Sequence, residues 1–332
     1  MYRYNYTKRL LEGMQSEQYS DIYIEACCKY AENLLDRNLP VIFEVSHLDE
    51  ILKLKGIVID FSYHTFEIDK KNGDKRFIIA PSKKLKYRQQ WILKNILEKI
   101  LIDDSAHGFK KNKSIVTNAQ QHINKKYIIN IDIKDFFPSI GQEKVYEVFK
   151  SVGYTEEVAR KLAHICCFGG VLPQGAPTSP CLSNIILKEL DIAIKKITLD
   201  KEITYTRYAD DLTFSANFDI TYLTDMIYLE IEKQGFIPNK AKTNIMQANR
   251  PKIVTGLIVS EKVKVPKKYK RKLRQEIYYC KKFGVANHLF NIESKRIVNY
   301  KEYLYGKAYF IKMVEKELGE KFLEELDSIR WE

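Results

Sequence analysis

Apolar positions along this chain change their spacing several times, and the changes mark out its elements. From Ser20 to Leu35 and from Ser46 to Lys55 they recur every three to four residues, the helical spacing, and Ser46 with Asp49 makes a capping-box pattern. Phe61 to Ile68 and Arg76 to Ala80 read as strands, joined through Lys71-Asn72-Gly73-Asp74, whose Asn-Gly favours a hairpin turn. Leu85 to Leu101 is helical again. Tyr127-Ile-Ile-Asn-Ile-Asp-Ile133 is a β-branched run of the kind that forms a buried strand. Residues 141–171 are mostly helical by pattern, 169–180 form a Gly/Pro-rich loop, and Cys181 to Leu190 reads as an amphipathic helix. Ile203 to Ser215 alternates as two short strands about a turn at Tyr208-Ala209-Asp210-Asp211. Asp219 to Gln234 is helical, Gly235 to Thr243 is a loop leading into a strand, and from about Ser260 the pattern is helical and basic.

Carboxylates interrupt two of these strands. Asp210 and Asp211 are adjacent, and two like charges side by side raise the cost of ionising both, a cost that a divalent cation removes. An isolated Asp-Asp turn is ordinarily a solvated surface feature. Asp132, however, lies within an apolar strand, where a charge is expensive unless it is paired with a Lys or Arg or binds metal. If Asp132 and Asp210 lie on adjacent strands, they can face each other across two metal ions about 4 Å apart, the arrangement of an in-line nucleotidyl transfer. The 169–180 loop before a helix start is compatible with an anion or a nucleotide backbone, although ordinary turns look similar.

Composition narrows the partners. The 332 residues carry 55 Lys and Arg against 43 Asp and Glu, a net charge of +12 that points to a polyanion. No run of 18 or more apolar residues occurs, so no membrane partner is expected, and the N-terminus lacks the apolar segment of a secretory signal. Cys27, Cys28, Cys166, Cys167, Cys181 and Cys280 fit neither a zinc spacing nor a secreted disulfide framework, which suits reduced thiols in a cytoplasmic protein. Between 262 and 275 cations are dense, with Tyr269, Tyr278 and Tyr279 in or just beyond the run. A solvated helix face is the ordinary meaning of a charge run; the near absence of acidic residues favours phosphate contact, with base stacking on the tyrosines.

Asn130-Ile-Asp-Ile-Lys-Asp-Phe-Phe-Pro-Ser139, Leu172-Pro-Gln-Gly-Ala-Pro-Thr-Ser-Pro180 and Tyr208-Ala-Asp-Asp211 resemble, in order, motifs A, B and C of reverse transcriptases. Asn118-Ala-Gln-Gln-His122 and Val254-Thr-Gly256 are similar to the NAxxH and VTG signatures of the retron branch, and the resemblance runs from about Lys70 to about Arg274. It implies an α+β right-hand polymerase: N-terminal helices and fingers over 1–126, a palm with an antiparallel sheet over 127–259 (141–171 returning to the fingers), and a basic helical thumb over 260–332. It implies Asp132, Asp210 and Asp211 as catalytic metal ligands for two Mg²⁺ ions, with Mn²⁺ as a substitute, and leaves Asp135 as an exposed turn residue. Phe137 would be the gate against a 2′-OH unless it is a core aromatic, and Gln174 would lie near the incoming dNTP. Arg76, or Lys75, would reach the triphosphate, and Lys242, or Lys240, would assist the leaving pyrophosphate. Asn118, His122, Thr255, Gly256, Lys267, Lys268, Lys270, Arg271 and Arg274 would hold RNA or support its binding.

The family's activity is to copy part of a cognate noncoding RNA into multicopy single-stranded DNA, msDNA, primed from a guanosine 2′-OH, commonly within anti-phage defence. The implied partners are that RNA and its msDNA, dNTPs, an effector protein and a host RNase H, since about 60 C-terminal residues are too few for a nuclease domain. Group II intron-like, diversity-generating and abortive-infection polymerases are the rival readings, together with an RNA-binding scaffold that has lost catalysis. The two signatures argue against the first three, and the intact aspartates argue against the last.

Overall fold

The computed structural model describes residues 2–54, 62–69, 75–291 and 299–331, without the side chains of Tyr2, Arg3, Tyr4, Arg76 and Asn291. Contacts divide the chain into two compact units. One comprises Met1–Phe109, Ile133–Ile194 and Leu229–Pro238; the other comprises Lys110–Asp132, Lys195–Tyr228 and Asn239–Glu332.

The first unit is mainly helical. A helix at Tyr2–Ser16, rich in Tyr and polar residues and without a clear apolar stripe, has no counterpart in the sequence pattern. The next, Asp21–Asp36, starts where expected, with the Ser20 hydroxyl accepting from the Tyr23 amide. The helix expected from Ser46 begins one residue earlier, at Val45–Ile51. Extended Glu44 is its N-cap, and Ser46 donates to the Glu44 carboxylate instead of capping. Strands β1 (Tyr63–Asp69) and β2 (Lys75–Pro81) pair antiparallel as the alternation predicts, while Asn72-Gly73 falls outside the described residues. The helix Lys83–Asn95 packs beside the hairpin, and Gln89 Nε2 donates to Ile165 O (2.8 Å) and to the Tyr63 hydroxyl (2.9 Å). Leu34, Ile42, Leu85, Ile92, Phe149 and Leu162 are buried in this unit.

The Gly/Pro-rich loop lies against β2. The Ile79 amide donates to Gln174 O at 2.9 Å, and a Cβ on Gly175 would stand 2.8 Å from Ile79 O. Gly175 also has φ +142°, a region that L side chains rarely adopt, so both space and conformation demand glycine. The helix after the loop begins at Ser179 with Pro180 in its first turn, ends at Ile186, and is followed by Lys188–Thr198.

The second unit holds a four-stranded antiparallel sheet of β3 (Tyr127–Asp132), β4 (Thr204–Tyr208), β5 (Asp211–Ala216) and β6 (Asn244–Met246), in the order β4-β5-β3-β6. β7 (Lys252–Val254), β8 (Leu257–Val259) and β9 (Val263–Lys264) form a small antiparallel sheet. These strands are too short for a period-two signal, and β9 delays the basic helix to Lys267–Phe283. That helix, with Tyr300–Val314 and Lys316–Asp327, shares a core with β8 that includes Leu257, Leu273, Ile277, Leu304, Phe322 and Leu326. Among the described residues no helix is long and apolar enough to cross a membrane, and all six cysteines are free.

Candidate active site

Register brings the carboxylates together. β3 and β5 pair so that Asp132 is directly opposite Asp211, and β4 and β5 pair with Tyr208 opposite Asp211, leaving Ala209 and Asp210 as a two-residue turn. Ala209 has φ +58°, a left-handed conformation that costs a residue with a Cβ roughly 1–2 kcal/mol. Arg207, fully buried, donates from Nη1 to Ala209 O at 3.1 Å and helps hold the turn. Like charges placed opposite each other in a ladder destabilise it. The consequence is visible at Asp211, whose pKa is pushed up to about 7 by burial first and then by the charges of Asp210 and Asp132, with Lys242 opposing.

Asp132 is only 14% exposed and accepts from Asn239 Nδ2 at 2.9 Å and from Lys242 Nζ at 3.2 Å. Its backbone carbonyl takes the Asn239 amide at 2.7 Å, so Asn239 is tied to the end of β3 twice. Of the two candidate lysines, Lys242 reaches the carboxylates, whereas Lys240 Nζ lies 5.2 Å from the Tyr228 ring centroid. Asn239 and Arg207 were not singled out by sequence. Arg207 carries a signal related to the one that marked Asp132, a charge where the alternation of Ile203 and Tyr205 calls for an apolar residue; Asn239 carries none. Among the described residues no three His, Cys, Asp or Glu side chains gather around a single point as a closed metal shell. The donor set nonetheless fits a hard divalent cation, since it offers carboxylate oxygens and an excess of negative charge that raises Asp211.

Phe137, Gln174 and Arg76 belong to the other unit. The Phe137 ring is half-buried, with the Phe136 and Phe109 centroids at 5.2 and 6.3 Å. Asp135 is exposed in the turn after β3, at φ +46°. Gln174 engages β2 through its backbone. Arg76 lies in β2 opposite Ile68, and its side chain is outside the described set.

A family model described as "Reverse transcriptase (RNA-dependent DNA polymerase)" matches residues 68–275. The Retron Ec86 reverse transcriptase of Escherichia coli is 37% identical over 278 residues, 78% of this chain and 87% of that one. The chain belongs to the retron reverse transcriptases. The Retron Mx162 enzyme of Myxococcus xanthus is 31% identical over 303 residues, covering 80% of this chain and 61% of its own length. The Retron Mx65 enzyme of the same species is 30% identical over 280 residues, covering 78% and 63%, so this chain spans about three-fifths of both Myxococcus relatives. The family is that of an RNA-directed DNA polymerase with an α+β right-hand fold.

In this retron reverse transcriptase the two signature segments are structural neighbours. His122 follows the helix Ile115–Gln120, which Ser114 opens with a capping box to Thr117. Asn118 and His122 are both buried, at 0% and 1% exposure, so neither presents a surface for direct contact with RNA. Thr255 and Gly256 form the two-residue turn between β7 and β8, both with positive φ (47° and 79°), and Thr255 Oγ1 donates to Ile115 O at 3.1 Å. In the basic helix, Lys267, Lys268, Arg271 and Arg274 are exposed. Lys270 departs from expectation: it is 15% exposed and donates to both Glu315 oxygens, at 2.9 and 3.0 Å. Glu315 lies 45 residues further along the chain, beyond any local count of charge. Tyr269 packs against Phe310 at 5.2 Å, while Tyr278 stays 52% exposed. Tyr279 lines a cavity of about 250 Å³ with Lys268, Arg271, Lys272 and His288.

Proposed function

We propose that this polymerase copies part of a cognate noncoding RNA into msDNA, primed from a guanosine 2′-OH of that RNA, within an anti-phage defence system. The observation that carries the catalytic part is the register of Asp132 opposite Asp211 at the mouth of a strained turn bearing Asp210. Asp132 and Asp210 are the principal metal ligands in this reading, and Asp211 supports the second ion or orients its neighbour. When bound, two divalent ions, Mg²⁺ or Mn²⁺, activate the attacking hydroxyl and stabilise the leaving pyrophosphate. Lys242, two-thirds exposed and tethered to Asp132 by one contact, can turn to give a proton to that leaving group. Phe137 rejects the 2′-OH of a ribonucleotide, and Gln174 and Arg76 serve the incoming dNTP.

Fingers over 1–126, palm over 127–259 and a thumb over 260–332 are the functional division that goes with this reading. Exposed cations of Lys267–Phe283 track the RNA backbone. An effector protein and a host RNase H complete the system, in the cytoplasm. The test uses the purified protein, dNTPs and the RNA transcribed from the DNA immediately upstream of its gene. A product joined to the RNA through a 2′,5′ branch, and lost with Asp210→Asn, is the expected result. A linear product extended from a free 3′-OH would replace this reading with that of another bacterial reverse transcriptase.

A further inference from the structure

One face of the catalytic hairpin carries a buried polar line. Register puts Thr206, Thr213 and Ser215 on the same face as Asp211 and Asp132. The three hydroxyl residues are 3%, 1% and 0% exposed. His122 lies against this face with Nδ1 2.7 Å from Ser215 Oγ and Nε2 2.7 Å from Thr206 Oγ1. Each ring nitrogen therefore holds a different strand, Thr206 on β4 and Ser215 on β5. A hydroxyl can donate or accept, so a neutral ring satisfies both contacts in either tautomer.

We infer that His122 is a positioning residue of the polymerase: by bridging Thr206 and Ser215 it fixes the two strands whose turn presents Asp210 and Asp211. The inference rests on the reading of those aspartates as catalytic. Ser215 is four residues from Asp211, about 13 Å along a strand, so the ring acts through the strands and touches no reacting atom. The turn it serves needs support, because Ala209 sits at φ +58°. The ring is itself well anchored. Its preceding helix is capped by Ser114 and held by Thr255 at Ile115 O. Contact with RNA is the other role for this histidine, but the ring is 1% exposed and both nitrogens already have partners.

The test measures dTTP incorporation by the full-length protein on poly(rA) primed with oligo(dT), with RNA affinity determined separately by fluorescence anisotropy. His122→Leu should lower kcat roughly ten- to a hundredfold while leaving KM for dTTP and Kd for RNA essentially unchanged. Thr206→Val and Ser215→Ala should each lower kcat less, and neither should lower it further in the His122→Leu background. His122→Gln, which offers an amide nitrogen and oxygen near the ring positions, should recover part of the rate. A folded His122→Leu protein with unchanged kcat, or with its loss confined to RNA affinity, overturns the inference. If His122→Leu does not fold, the two hydroxyl variants decide, and unchanged kcat in both overturns it. An Asp210→Asn control separates the two readings. Activity surviving in that variant removes the catalytic assignment itself, whereas inactivity there beside fully active His122 variants removes only the positioning role.

Discussion

At the residue scale the site is governed by carboxylates that the fold sets close together. Burial and the neighbouring carboxylates push the Asp211 carboxyl up from its ordinary 3.8 to about 7, so between these values the folded chain keeps a proton that an unfolded chain releases. Raising the pH through this window therefore removes stability from the metal-free protein, and a cation must displace that proton when it binds below about pH 7. The thermal stabilisation by Mg²⁺ should be larger at pH 8 than at pH 6, and Asp211→Asn should flatten the difference. Equal increments in the wild-type protein would show that no such proton is displaced. Glycines give a second residue-scale contrast. Gly175→Ala meets both a forbidden φ and the Ile79 carbonyl, whereas Gly256→Ala, at φ +79°, has open space around it. The first should destabilise by roughly 2–4 kcal/mol and the second by about 1 kcal/mol. Thermal melts that reverse this order would contradict the close approach of the loop to β2.

At the scale of elements, the basic helix shows how far a charge pattern can be trusted. Lys270 is bound by Glu315 in a partly buried ion pair, and the same carboxylate accepts the Val265 amide at 2.8 Å. Lys270→Ala should therefore lower stability by about 1–3 kcal/mol and leave the salt dependence of RNA binding as it was. Lys267→Ala should do the reverse. A change in salt dependence with Lys270→Ala would return that residue to the RNA-binding set. The contrast also marks what the sequence made legible. The β4–β5 hairpin, β3 and the β1–β2 pair were readable because alternation, a β-branched apolar run and turn residues are local signals. The helix Ile115–Gln120 escaped because six residues carry little periodicity and its capping box uses Thr117 where Glu or Gln is the usual sign. Roles that depend on distant partners escaped for a different reason. The role of His122 stayed open between contact with RNA and support for it because Thr206 and Ser215 lie 84 and 93 residues away in the chain. Asn239 was missed because its meaning exists only beside Asp132, 107 residues earlier.

Across the whole molecule the positive charge is concentrated. The helix Lys267–Phe283 holds eight cations and one carboxylate, a surplus of seven within a chain whose net charge is +12. With Lys270 committed to Glu315, the other seven cations are exposed and available to phosphate. Each phosphate neutralised on single-stranded RNA contributes about 0.7 to the slope of log affinity against log salt, so this helix can supply a slope of roughly 5 at most. A slope of that size lowers affinity about a thousandfold when salt rises fourfold. Changing Lys267, Lys268, Arg271 and Arg274 together to Gln should reduce the slope by about 3. The variant's deficit should then shrink as salt is raised, because the interaction it lacks is the one that salt screens. Counterion release is blind to sequence, so the reduction should be equal for the cognate RNA and for an unrelated RNA of the same length. Preference for the cognate RNA would then survive in the variant, carried by contacts that salt does not weaken. Parallel salt lines for variant and wild type would mean that this helix faces no phosphate and that the chain's charge surplus engages RNA elsewhere.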